Sequence, residues 1–333
     1  MKKRTVLLLL FCLAIITIKG INHKTHAYAR ENEKYKVYVD DLLNKSFETY
    51  KEALYYSYLF ERVYILNSDD NTLVYHNDIK YIVSSKINPD SNSKKFYELK
   101  NAIAHAKKTN GQVKHIPSNK KVWENNYEKK NNSHIEVVKI KQFPELPRGC
   151  SIVSLAMLLN HAGITDVDKM RLNEEIYKQD IKYELSQSEI FFADPYYGFV
   201  GEVSTFEEAG LGVYFPAVYE LASKYLGERS LNLSGTDMED LFYFLDNDYP
   251  IWTMVNAKYV SLGDEDYITW KIKKDGGREV EITKWMHSVL ITGYDDKYIY
   301  INDPLQKQEK IEKEDFIEAY NQMGKQALSY IRK

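Results

Sequence analysis

Cysteine is nearly absent: the 333-residue sequence contains 2, and one of them, Cys12, lies in an amino-terminal apolar run. That run, Val6 to Ile18, is shorter than the roughly 20 residues a bilayer core requires. Lys2, Lys3 and Arg4 precede it and Ala27-Tyr28-Ala29 follow it, which is the charged, apolar and small-residue pattern of an export signal. Leu10 and Phe11 stand before Cys12 where a lipoprotein signal would carry small residues. Residues 1–29 are therefore expected to be removed as a signal peptide, leaving no stable membrane span and a secreted or cell-surface chain whose one thiol is Cys150. An intramolecular disulfide is then excluded, and the fold has to stand on its apolar core. An excess of one charge is missing as well. A net charge of −3, mixed along the chain, offers no basic field for nucleic acid. The 28 tyrosines carry no functional message by themselves.

The length suggests about two domains, and a change in composition divides them. Residues 117–134 end in a charged, asparagine-rich stretch, which places a linker near 125–136. Residues 30–135 before it contain a weak repeat, in which Phe47, Ala53, Val74 and Tyr75 recur as Phe96, Ala102, Val122 and Trp123. Each copy reads as a strand, a helix and a hairpin. In the first, the helix runs from Phe47 to Leu59, and V-Y-I-L and T-L-V-Y flank a turn over Asn67 to Asn71. His76, His105 and His115 fall at no metal-ligand spacing and read as surface or satisfied core histidines; a binding or positioning module is the sharper alternative for a region whose role, inhibitory, docking or anchoring, stays open.

The chemistry is expected in residues 136–333. Pro144 and Pro147 disfavour helix and should hold the segment before Cys150 extended. A helix then starts at the cysteine, with Val153, Leu155, Ala156, Leu158 and Leu159 as its apolar surface and Gly163 beyond its end. The unpaired N–H groups of a helix start favour a thiolate. An inert core cysteine is the alternative, but an exported chain that retains one thiol at a helix start is better explained by its use. Strands over His287 to Gly293 and Tyr298 to Asn302, joined by Asp295-Asp296, form a hairpin whose two-residue turn would pair Asp303 with Ser288, one step from His287. His287 would then act as general base and Asp303 as its orienting carboxylate. Further helices are expected over Ala217 to Leu226 and Met238 to Leu245, and a strand over 250–255. This is an α+β order. The loop-like stretch from Asp194 to Pro216 either lines a cleft or closes the core.

Residues 138–332 resemble the exported, papain-like peptidases of cysteine peptidase family 39 in its broad sense, relatives of the bacteriocin leader-processing peptidases. The resemblance rests on Q-F-P-E-L-P-R-G-C, on D-P-Y-Y-G-F-V-G at 194–201, on G-L-G-V-Y-F-P at 210–216, and on H-S-V-L-I-T-G-Y-D-D with Y-I-N-D-P-L. It implies a papain-like fold, in which a central helix carrying the cysteine packs on an antiparallel sheet, and no cofactor or metal. It implies Cys150 as nucleophile, His287 as base, Asp303 as orienting group and Gln142 as the amide donor to an oxyanion, a role that demands a donor about 3 Å from the developing charge. One departure stands beside the nucleophile, where Ser151 replaces the acidic residue common in similar proteins. The expected partner is a peptide or protein substrate, the cell-wall peptide among the candidates. Two other readings remain: an amidase or endopeptidase of peptidoglycan with the same triad, and a non-catalytic surface binding protein.

Overall fold

The computed structural model describes residues 33–85 and 93–332; the export signal expected over 1–29 lies outside the described residues. The chain is a mixed α and β structure with predominantly antiparallel sheets. Tyr35–Val39 (β1) and Leu42–Phe47 (β2) turn over through Asp40 and Asp41, both in the left-handed region with φ 49° and 65°. Tyr50–Ser57 (α1) follows, capped by the Thr49 hydroxyl, which accepts from the Glu52 N–H at 3.3 Å. Val63–Asn67 (β3) and Leu73–His76 (β4) complete a sheet of order β2-β1-β3-β4. Tyr81–Ser85 (β5), Lys94–Phe96 (β6), Leu99–Thr109 (α2), Gly111–His115 (β7) and Lys120–Glu124 (β8) repeat that order as β6-β5-β7-β8.

The likeness extends to the register. Ile65 faces Tyr75 in the first copy and Val113 faces Trp123 in the second, with a bulge immediately after Ile65 and after Val113. Each copy therefore has two strands before its helix, where the sequence suggests one. Phe47 ends a strand instead of starting the helix, because the β1–β2 connection is only the Asp40-Asp41 turn and its short spacing hides the break.

Ser133–His134 (β9) pairs with the middle of the large sheet, so part of the expected linker is tied into the fold. Cys150–His161 (α3) is next; its residues 150–159 are all buried. Complete burial of leucines such as Leu155, Leu158 and Leu159 is worth about 1.5–3 kcal/mol each, so the helix is central for energetic reasons as well as geometric ones. Lys169–Glu175 (α4), Glu184–Ser186 (β10), Glu189–Phe191 (β11), Phe215–Leu226 (α5), Ser230–Asn232 (β12), Met238–Asp246 (α6) and Ile251–Asn256 (β13) lead to a hairpin of Tyr267–Ile272 (β14) and Arg278–Thr283 (β15). Met286–Tyr294 (β16), Tyr298–Asn302 (β17), Lys310–Glu312 (β18), Lys313–Gln322 (α7) and Ala327–Tyr330 (β19) follow.

The main sheet has the order β12-β19-β13-β16-β17-β18, with β9 against β16, and a smaller one has the order β10-β11-β14-β15. Alternation along the main strands gives two cores. Trp252, Met254, Leu290 and Leu328 join α3, α5 and the first copy, through Val37, Leu54 and Ile65. Ile251, Val255, Val289 and Ile291 join α6, α7 and the second copy, through Leu99, Ile103 and Trp123. The duplicated units thus pack on opposite faces of one sheet.

Candidate active site

The segment before Cys150 does not run extended. The Leu146 N–H donates to the Gln142 carbonyl at 2.9 Å and the Gly149 N–H to the Leu146 carbonyl at 2.8 Å, so two turns fold the chain back on itself. Pro144 and Pro147 are used in these turns, where a fixed φ suits them. A Cβ on Gly149 would lie 2.6 Å from the Leu146 Cβ, so glycine is needed at this close approach. No side chain caps α3. The first N–H groups of the helix are therefore left for whatever meets Cys150, and a helix start prefers an anion.

His287 and Asp303 meet, although in a different register from the one a turn at Asp295-Asp296 sets: the two-residue turn falls at Asp296-Lys297, where the Asp295 N–H donates to the Tyr298 carbonyl at 3.0 Å. Tyr294 faces Ile299 and Gly293 faces Tyr300; a bulge after Ile291 then sets Leu290 against Asn302. One step further brings Asp303 opposite Val289 and not Ser288. His287 and Val289 share a face by alternation, so the bulge moves the carboxylate to the histidine's side of the strand. Segment 133–135 supports that bulge: the Ile135 N–H donates to the Thr292 carbonyl at 2.7 Å. A Cβ on Gly293 would lie 2.1 Å from the Ser133 carbonyl oxygen, so only glycine lets β9 come this close.

The outcome is a buried pair, with His287 Nε2 2.8 Å from Asp303 Oδ1. Asp303 also accepts from the Leu305 N–H at 2.9 Å and the Lys307 N–H at 3.2 Å. With Nε2 engaged, Nδ1 is the ring nitrogen left for the Cys150 thiol, which lies within hydrogen-bonding reach of His287. Burial pushes the Cys150 thiol up, but the His287 ring, the Ser288 N–H and the Ser151 hydroxyl together bring it below its ordinary value. Burial pushes His287 down, yet its bonds to Asp303 and Cys150 raise it to about 9. Burial likewise opposes ionisation of Asp303, and His287 with the two N–H donors overcomes this to hold the carboxyl below its usual range. All three directions favour a thiolate, an imidazolium and a carboxylate in a row.

Gln142 is buried, and its backbone N–H donates to the Pro304 carbonyl at 3.1 Å, which ties it to the turn after Asp303. Its Nε2 donates to the Pro147 carbonyl at 2.6 Å, while Oε1 has no hydrogen-bond partner. A primary amide has two N–H groups, so one of them remains for a ligand.

Several neighbours carry no signal in the sequence. Ser151, Ser154 and Ser288 are fully buried beside the thiol: Ser151 Oγ and Ser288 Oγ are 3.0 Å apart, and Ser154 Oγ donates to the Ser288 carbonyl at 3.1 Å. The hydroxyl that stands in place of an acidic group therefore bridges α3 to β16. Tyr259 lies edge-on to the His287 ring at 6.0 Å, with its hydroxyl buried beside Asp303. Burial and the nearby Asp303 charge keep that hydroxyl protonated. Only the tertiary fold brings it to the histidine. Arg148 does have a signal, in its place two residues before the cysteine. Its guanidinium donates to the carbonyls of Glu202, Thr205 and Glu208 and clasps that loop.

The stretch 194–216 divides between its two readings. Phe199, Val203, Val213 and Phe215 are core residues, whereas Tyr196, Tyr197 and Tyr214 line a cleft. Elsewhere, His76 sits 3.3 Å from Asp78, His105 lies against Phe96, and His115 is buried 2.9 Å from the Ser118 hydroxyl. Among the described residues no group of three or more His, Cys, Asp or Glu side chains could hold a metal ion, and no helix is long and apolar enough to cross a membrane.

Comparison with known proteins gives three matches. The Peptidase_C39 like family matches residues 134–328. The uncharacterized protein YvpB of Bacillus subtilis (strain 168) is 37% identical over 186 residues, which cover 56% of this chain and 70% of that protein. A crystal structure from Bacillus anthracis, provisionally designated a C39-like peptidase, is 38% identical with a TM-score of 0.55 and covers 61% of this chain and 99% of that one.

Proposed function

The chain belongs to the peptidase C39-like family, and from that premise we propose that it is an exported cysteine peptidase of papain-like architecture, acting through Cys150, His287 and Asp303. The observation that carries this reading is the buried contact line from the Cys150 thiol through His287 to Asp303 at an uncapped helix start. The Cys150 thiolate attacks the scissile carbonyl carbon, forming a C–S bond. The carbonyl oxygen becomes an oxyanion, held by the Cys150 backbone N–H and the remaining Gln142 N–H. The His287 imidazolium then gives its proton to the leaving amine as the C–N bond breaks, leaving an acyl-thioenzyme. Neutral His287 takes a proton from water, which attacks the acyl carbon and releases the acid and the thiolate. Asp303 holds the ring orientation throughout. The amino-terminal pattern supports export, and the substrate is a peptide or protein, which includes the peptides of the cell wall.

The test compares the purified wild type with Cys150→Ala and His287→Ala on a mixed peptide library and on purified peptidoglycan, products being read by mass spectrometry. Peptide cleavage that disappears in both variants is the expected result. Release of muropeptides alone would move the assignment to a cell-wall amidase. No cleavage of either substrate, with Cys150 no more reactive toward iodoacetamide near pH 6 than in denatured protein, would favour a binding protein.

A further inference from the structure

A cleft of about 500 Å³ lies between the first copy and the β14–β15 hairpin, within the usual size of ligand sites. Lys45, Tyr56 and Leu59 form its roof. Tyr196, Tyr197 and Tyr214 form one wall, and Arg278, Glu279, Val280, Glu281 and Ile282 the other. Five consecutive residues of one strand can all line a cleft only if the cleft runs along the strand's edge, because side chains alternate between faces. β15 is an edge strand, paired only with β14. Among the described residues no other segment makes backbone hydrogen bonds with its outer edge. An open edge of this kind is a template for another strand.

We propose that this cleft holds an extended peptide, added as a strand to the outer edge of β15 and covered by the first copy. The proposal rests on the peptidase reading and extends it, since it gives the first copy a part in holding substrate. Both walls lead toward the nucleophile: β15 ends at Thr283, shortly before His287, and Tyr214 follows Val213, whose carbonyl takes the Ser151 hydroxyl at 3.5 Å. The cations of the cleft are already engaged, Lys45 with Asp275 and Arg278 with Asp194 and Asp275. The carboxylates of exposed Glu279 and Glu281 therefore set the character of the edge and favour basic side chains in the peptide. The tyrosine rings suit the stems of such side chains. A glycan could stack on the rings but would leave the strand's N–H and C=O groups unmatched, which favours a peptide.

The test uses the full-length chain carrying Cys150→Ala, so that bound peptide is not consumed. It is screened against immobilised 12-residue peptides and against glycan strands freed of their peptides, and the strongest binder is followed by amide hydrogen exchange. The expected result is a basic peptide that slows exchange across residues 278–283, with affinity weakened about ten-fold or more by Tyr197→Ala. Tyr197 packs near Phe47, so Leu59→Trp, on an exposed roof residue, provides a second variant that narrows the cleft without loss of core packing. Protection confined to the surroundings of Cys150, binding untouched by both variants, or binding of the glycan alone would overturn the proposal. Wild-type cleavage of peptides alongside no protection of β15 would remove the cleft and leave the peptidase standing.

Discussion

The two amino-terminal copies have the same order of elements, the same sheet order and a bulge at the same place, yet they are used differently. The second lies flush against the sheet side that faces α6 and α7. Trp123 and Tyr127 pack on Tyr243, and Lys107 binds Asp240 at 2.6 Å. The first lies over α3 and α5, the layer that carries the thiol. It is held by Tyr55, whose hydroxyl donates to Glu220 at 2.6 Å, and by Lys45 on Asp275 at 3.1 Å, and it leaves the cleft along β15 open. A duplicated unit thus serves as packing in one place and as a cleft roof in the other. The difference arises from what each surface meets: Ala53, Leu54 and Ile65 correspond to Ala102, Ile103 and Val113 in the two cores, whereas Val74 is exposed and its counterpart Val122 is buried.

Substitutions can break that comparison, and the largest effect belongs to neither copy. Cys150→Ala should lower peptide cleavage by roughly 10³ or more while the thermal midpoint stays within a few degrees of wild type; a variant that kept activity would disprove the nucleophile. Trp123→Ala should remove about 3–5 kcal/mol of stability in urea unfolding and leave kcat/KM of the remaining folded protein unchanged. A matching drop in kcat/KM would mean that the second copy also serves the site. Gly293→Val should cost about 1–3 kcal/mol by overpacking against the Ser133 carbonyl, and kcat should fall further than stability because the Asp303 register depends on that bulge. Equal falls would detach the register from catalysis. Tyr55→Phe in the first copy should cost about 0.5–1.5 kcal/mol, with the change in KM exceeding that in kcat.

The smallest expected effect is one of pH, and it separates the site from the copies. Burial and the Lys80 charge hold His115 of the second copy down to about 4, below an ordinary value of 6.5. A lowered histidine gives stability that is fully present above pH 6.5 and is lost as pH falls from there through about 4, so His115→Phe should flatten the acid side of the stability curve. In the proposed mechanism the imidazolium is the working form of His287. With His287 raised to about 9, cleavage should fall as pH rises through about 9, and Asp303→Asn, by removing a carboxylate that opposes the effect of burial, should move that fall to lower pH. A limb unmoved by Asp303→Asn would take His287 out of the profile.

Much of the candidate site is legible in the sequence. The lone thiol at a helix start, the histidine opening one strand and the aspartate closing the next are local patterns, and the helix Cys150–His161 follows from a run of apolar residues after two prolines. The β1–β2 connection is not legible, because it is only the two-residue Asp40-Asp41 turn between Val39 and Leu42, too short a break to separate two strands. The β14–β15 hairpin is not legible either: its T-W-K-I and V-E-I-T segments resemble ordinary charged surface, and the small core that Trp270 and Ile282 form is a tertiary feature.

The sequence by itself determined the helices that begin near Cys150, Ala217 and Met238, the strands that begin near His287 and Tyr298, and which residue types are present for the chemistry, since periodicity and local sterics act over a few residues. The tertiary structure alone decided the strand register. The expected turn would put Asp303 opposite Ser288 on the wrong face; β9, arriving from 133–134 and meeting a glycine at 293, accompanies the extra residue that turns the carboxylate to His287. The same holds for Tyr259 and for the serines behind the thiol, whose burial depends on how α3 lies on β16. Register and burial are properties of contacts between segments far apart in the chain, and no local pattern carries them.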